Sequence, residues 1–125
     1  MVLYSDEMAT STSVATTYAA MTGSPYNPLT NGRLIKVELH AAGDAATSLI
    51  EMVVVKLTNP KWGVPLIVST QGGGLRTATC PPIPTGEIVC DLPVTIGSQI
   101  TIEIKNETGA TPVTPRYSVI GLFQG

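Results

Sequence analysis

Charge is what this sequence has least of. Asp, Glu, Lys and Arg make up only 13% of it, about half the usual quarter. The seven basic and nine acidic side chains are scattered without a run. That leaves no electrostatic footprint for holding nucleic acid, and no nucleic-acid partner is expected. With hydrophobic residues at 43%, the composition also excludes intrinsic disorder, which needs weak hydrophobicity and strong self-repulsion. Long apolar runs are missing too. Met52 to Val55 is typical of the longest, far short of the roughly 20 residues that cross a bilayer, so no membrane span is expected. The opening Met-Val-Leu-Tyr-Ser-Asp-Glu has neither a basic n-region nor an apolar h-region, and no secretory signal is expected.

Residues able to do chemistry are equally scarce. His40 is the one histidine and there is no C-x-x-C pair, so neither a zinc site nor any other cofactor is expected. Glu38 and His40 share a face of an alternating strand, with Asp44 nearby, but such a pair on a half-exposed strand reads as a solvated surface pair. No G-x-S-x-G elbow is present, and Glu38, Glu51, Asp91 and Glu103 offer no spacing that singles out two apposed carboxylates. Gly72-Gly73-Gly74 lacks the G-x-G-x-x-G pattern and the Lys-Ser/Thr partner of a phosphate loop, and reads as a close-packed turn. The chain is not expected to be an enzyme.

What the sequence does have is alternation. In Gln99 to Lys105, Ile100, Ile102 and Ile104 fall on one side of an extended strand and Gln99, Thr101, Glu103 and Lys105 on the other. Three β-branched residues at period two suit a half-buried pleated surface, each worth roughly 1.5 to 3 kcal/mol when buried. Ile35, Val37, Leu39 and Ala41 alternate with Lys36, Glu38 and His40 in the same way. Ser48 to Leu57 is apolar on both faces and predicts a covered, central strand, joined to the preceding one as a hairpin across Gly43 to Thr47. Val64 to Thr70, Leu75 to Thr79, Glu87 to Leu92 and Arg116 to Phe123 complete the set, with the proline-rich stretch Cys80 to Gly86 read as a loop. Seven or eight short strands in a chain of 125 residues predict an all-β, antiparallel β-sandwich. A jelly roll is preferred over an immunoglobulin-like sandwich, because Cys80 and Cys90 are too close in sequence to bridge distant strands around a tryptophan.

Residues 1–32 have a different texture, dominated by Ala, Ser and Thr between Ala9 and Ser24 and closed by turn signals around Pro25, Pro28 and Asn31-Gly32. They are expected to form an extended N-terminal arm or tail ahead of a sandwich domain over 33–125, with Tyr4, Tyr18 and Tyr26 as anchors for assembly on a neighbouring subunit. Cys80 and Cys90 are candidates for a disulfide that closes a short ring, worth roughly 2 to 3 kcal/mol; the alternative is two separate buried thiols. Trp62, in the loop Asn59-Pro60-Lys61-Trp62-Gly63, is either a loop plug or a platform on which a sugar stacks. Asn106-Glu107-Thr108 fits the N-x-[ST] glycosylation pattern, which makes Asn106 a candidate acceptor.

The combination of an N-terminal segment, a low-charge all-β body and no catalytic constellation resembles, in layout only, the small single jelly-roll capsid, turret or decoration proteins of viruses, including those of thermophilic hosts. No sequence motif carries the resemblance, so it assigns no residue a role. It implies a structural virion protein that self-assembles through shape and an N-terminal arm, with itself and other virion proteins as partners. The expected location is the virion, or otherwise an extracellular site reached by a leaderless route. The alternative is a carbohydrate-binding or attachment module, using Trp62 with Tyr26 and Tyr117 and having a glycan as partner.

Overall fold

A computed structural model describes residues 2–11, 16–43, 47–50, 53–69, 74–77, 83–106 and 115–125. They form ten strands: β1 Leu3–Ser11, β2 Ala19–Ala20, β3 Gly32–Gly43, β4 Thr47–Ile50, β5 Val53–Thr58, β6 Leu66–Ser69, β7 Gly74–Thr77, β8 Ile83–Val94, β9 Thr101–Asn106 and β10 Pro115–Gln124. Among the described residues there is no helix, and the chain is an all-β sandwich. The first sheet has the order β1-β10-β3-β8 and the second β2-β9-β5-β6, both antiparallel, while β4 and β7 pair in a small two-stranded sheet.

Period-two patterning decides which faces meet. Ile100, Ile102 and Ile104 are fully buried, as are Val53, Val55 and Leu57 on the neighbouring β5. The first sheet supplies the other wall with Leu34, Val37 and Leu39 from β3 and Tyr117, Val119 and Phe123 from β10. Val54, on the outer face of β5, is buried as well, which fits a strand apolar on both sides. Gly121 sits among these inward positions for lack of a side chain: a Cβ there would meet Met8 Sδ at 2.7 Å and the Phe123 ring at 2.8 Å.

The strand partners are nested. β5 pairs with β6, β4 with β7, β3 with β8, β2 with β9 and β1 with β10, so the chain is one long antiparallel ribbon doubled back at the β5–β6 turn and wound into two layers. Winding also brings non-partner strands together, β10 beside β3 and β9 beside β5.

Three sequence expectations are corrected here. The first is the arm. Residues 3–11 are the edge strand β1, in register with β10 from Leu3↔Gln124 to Ser11↔Tyr117. Ala19 and Ala20 extend the second sheet against β9, and Tyr26 exchanges backbone hydrogen bonds with Ile100 at 2.8 and 2.9 Å. Met8, Ala9, Met21 and Tyr26 lie in the core, so residues 2–11 and 16–32 are part of the body. A composition poor in large residues concealed this, because small side chains pair in sheets through a backbone that composition does not report.

The second is the hairpin. β3 and β5 belong to different sheets, and the chain crosses between layers instead of turning back on itself. The third concerns the proline-rich stretch, whose later part is strand: β8 begins at Ile83 and runs through Pro84 and Gly86 with a register shift opposite Leu39 and His40. β8 is an edge strand, and there a proline withholds no donor from a second neighbour.

Candidate functional site

The outer face of the first sheet carries a groove of about 340 Å³ lined by Ser5, Lys36, Glu38, Ile120 and Leu122. Register places these residues together: Ser5 lies opposite Leu122, which lies opposite Lys36, and Glu7, Ile120 and Glu38 form the adjacent row. Half-buried Ile120 and Leu122 make an apolar floor on β10, with a hydroxyl on one side and a charged wall on the other.

That wall is a chain of paired polar and charged groups. Lys36 Nζ stands 3.0 Å from Glu38 Oε1 and 3.9 Å from Glu87 Oε2, and His40 Nε2 is 3.0 Å from Glu38 Oε2. Glu38 and Glu87 are direct cross-strand partners, a like-charge juxtaposition that Lys36 offsets by reaching both. The hydrogen bond from His40, followed by that from Lys36, holds the Glu38 carboxyl below its ordinary range, and Glu38 in turn raises Lys36. Glu38 is therefore ionised at neutral pH with both oxygens engaged. It is a fixed acceptor and a poor general acid, since an acid catalyst needs a raised pKa. Among the described residues no group of three His, Cys, Asp or Glu side chains converges to hold a metal.

The outer face of the second sheet carries a smaller feature. Lys56 Nζ lies 4.3 Å and Lys105 Nζ 4.8 Å from the centre of the Tyr18 ring, and Lys56 also pairs with Glu103 at 3.6 Å. The π-face attracts both ammonium groups, which clamps the residues before β2 onto the sheet.

The other residues singled out from sequence have structural partners within the chain. Tyr4 stacks on Phe123 with centroids 5.3 Å apart and shares a 2.8 Å hydrogen bond with Thr30 Oγ1. Tyr26 stacks on the same ring at 5.7 Å, and its hydroxyl donates to Asp6 Oδ2 at 2.5 Å. Burial, then that hydrogen bond, pushes the Tyr26 phenol above its ordinary pKa. These three tyrosines thus anchor the N-terminal segment on its own body.

Trp62 is 8% exposed and its ring N–H donates to Pro93 O at 2.8 Å. It plugs the sandwich end and has no open face for a sugar; Tyr26 and Tyr117 are buried as well. Asn59, also buried, donates to Ser98 O and Gln99 O at 3.2 and 3.0 Å and accepts from Lys61 N at 2.9 Å, which fastens that loop to the β8–β9 turn. Gly97 lets that turn close: its φ of +87° follows Ile96 within a Thr95–Ser98 hydrogen-bonded turn.

Cys90 is a free thiol that donates to Leu34 O at 3.4 Å, and burial pushes its pKa up to about 11. Cys80, the other half of the expected bridge, lies outside the described residues. Asn106 is the last residue of β9, paired with Val53; the rest of its glycosylation pattern lies outside the described residues. Of the groove residues, sequence reasoning had singled out only Glu38 as a candidate for chemistry, and no local signal marks Ser5, because cross-strand register alone brings it to Leu122.

No protein-family model matches the chain, and no curated protein is significantly similar to it.

Proposed function

We propose that this chain is a structural subunit of a virion, a capsid, turret or decoration protein that self-associates. The observation that carries the reading is the nested pairing of β1–β10, β2–β9, β3–β8, β4–β7 and β5–β6. Such nesting, in a ribbon doubled back and rolled into two four-stranded layers, supports the jelly-roll reading of the sandwich, an architecture of many viral capsid domains. The weak surface charge adds support, since it offers little repulsion between copies. An exchanged arm has no part in this reading, because the N-terminal segment completes its own sheets. Self-association then rests on faces and ends of the body, where symmetry multiplies modest contacts into a closed assembly. A carbohydrate-binding role loses its three aromatic platforms to burial.

Size-exclusion chromatography with light scattering, followed by electron microscopy of the largest species, tests the proposal. Rings, shells or other closed oligomers are expected. A protein that stays monomeric up to high concentration overturns it.

A further inference from the structure

Seven large aliphatic side chains are prominently exposed among the described residues, and five of them, Val2, Leu3, Leu29, Val64 and Ile96, lie at one end of the sandwich; Ile67 and Val89 lie on strands β6 and β8. Register defines this end: β1 and β3 begin there, and β8 and β10 finish there, in the rows Leu3↔Gln124, Gln124↔Arg33 and Arg33↔Pro93. Specific bonds stitch its loops together. Val2 and Gly125 exchange backbone hydrogen bonds at 3.0 and 2.9 Å. Gly125 abuts Thr30, where an added Cβ would meet Oγ1 at 2.6 Å. Ile96 N donates to Asn31 Oδ1 at 2.9 Å, and Lys61 Nζ to Thr95 Oγ1 at 3.1 Å. The aliphatic side chains are thus displayed from a braced platform, with little ordering left to be done on contact.

The charge of this end selects its occupant. Loops 27–31, 59–65 and 95–99 contain a single ionisable side chain, Lys61, and the nearest strand-borne charges, Arg33 and Asp91, pair with each other. A charged partner has almost nothing to recognise here. From the three loops of this end a second copy meets no side-chain carboxylate and one ammonium group, so two copies can face each other here in the way an isologous contact requires. Five aliphatic side chains each about three-fifths exposed or more present on the order of 500 Å² of apolar surface over this end. With a polar rim of Asn, Thr, Ser and Gln it approaches the ~800 Å² per partner of a standard interface.

We infer that this apolar end is the surface through which one copy of the chain binds another. The inference rests on the assembly reading above and names the contact within it.

Sedimentation velocity of the full chain, of the double variant Leu29→Lys/Ile96→Lys, and of Val89→Lys as an aliphatic-to-lysine control on β8 separates the outcomes, with circular dichroism melts verifying that each is folded. Self-association weakened at least about tenfold in the double variant, and unchanged in the control, supports the inference. Equal association of all three overturns the surface and leaves the assembly reading standing; equal weakening by the control also overturns it, since the effect is then not confined to this end. A monomeric parent chain overturns both. Parent chain that is monomeric but floats with phosphatidylcholine vesicles, with flotation lost in the double variant, assigns the end to a lipid surface and overturns the second copy as its occupant.

Discussion

Glu38 illustrates how one residue acquires a role from its neighbours. Its carboxylate faces Glu87 across the β3–β8 ladder, which by itself is unfavourable, and it is held there by Lys36 and His40. Because its folded pKa is lowered, its stabilising contribution is present above the ordinary glutamate pKa of about 4.3 and is lost as pH falls through the lower folded value. Glu38→Gln should therefore cost up to about 1 kcal/mol at pH 7, given partial exposure, and the gap from the parent chain should close below about pH 4.5. Urea titrations at several pH values measure this, and a gap that stays constant to pH 3 contradicts the assignment. The pairing of Glu38 with His40 was legible in the sequence, since period two puts both on one face. Lys36 was legible too, but Glu87 was not, because the partner strand and its register are set by the whole sheet.

Among elements, β1 departs furthest from expectation. It covers one edge of β10 and delivers Met8 and Ala9 to the core, while Tyr4 and Asp6 secure Phe123 and Tyr26 from the same strand. An arm can be removed without harm to the body it leaves, but an edge strand that closes a core cannot. Deleting residues 1–11 should abolish cooperative unfolding and expose apolar surface, seen as loss of a sigmoidal melt and binding of a hydrophobic dye. A truncated chain that melts like the parent restores the arm. β9 is the opposite case: its three isoleucines announced a strand with one dry face, and all three are buried. The difference lies in side-chain size. Large β-branched residues at period two have few other places to go, whereas Ala, Ser and Thr leave the choice to backbone pairing.

For the molecule as a whole, the nested ribbon sets the order in which contacts become affordable. The β5–β6 turn closes a short loop, and every further pair encloses more chain, out to β1–β10, which encloses nearly all of it. Loop-closure entropy rises with enclosed length, so inner pairs form at lower cost. Substitutions such as Val55→Ala on β5 should thus show higher φ-values than Val119→Ala on β10, in stopped-flow folding and unfolding measurements. Equal values, or the reverse order, would mean that the ribbon does not close from its inner end. The same winding gathers the chain start, the chain end and three loops at one end of the sandwich, and so concentrates exposed aliphatic side chains that are far apart in sequence.

The sequence by itself determined the class of fold and the dry faces of its main strands, because burial of large aliphatic residues at period two is a local constraint. It also determined the quiet surface, since composition needs no folding to be read. Tertiary structure alone decided that residues 3–11 are a strand, that β3 and β5 part company and that Trp62 is a plug. Each of these depends on which segments become neighbours across long stretches of chain, and backbone hydrogen bonds, available at almost every residue, leave no mark in the sequence of where they will be made.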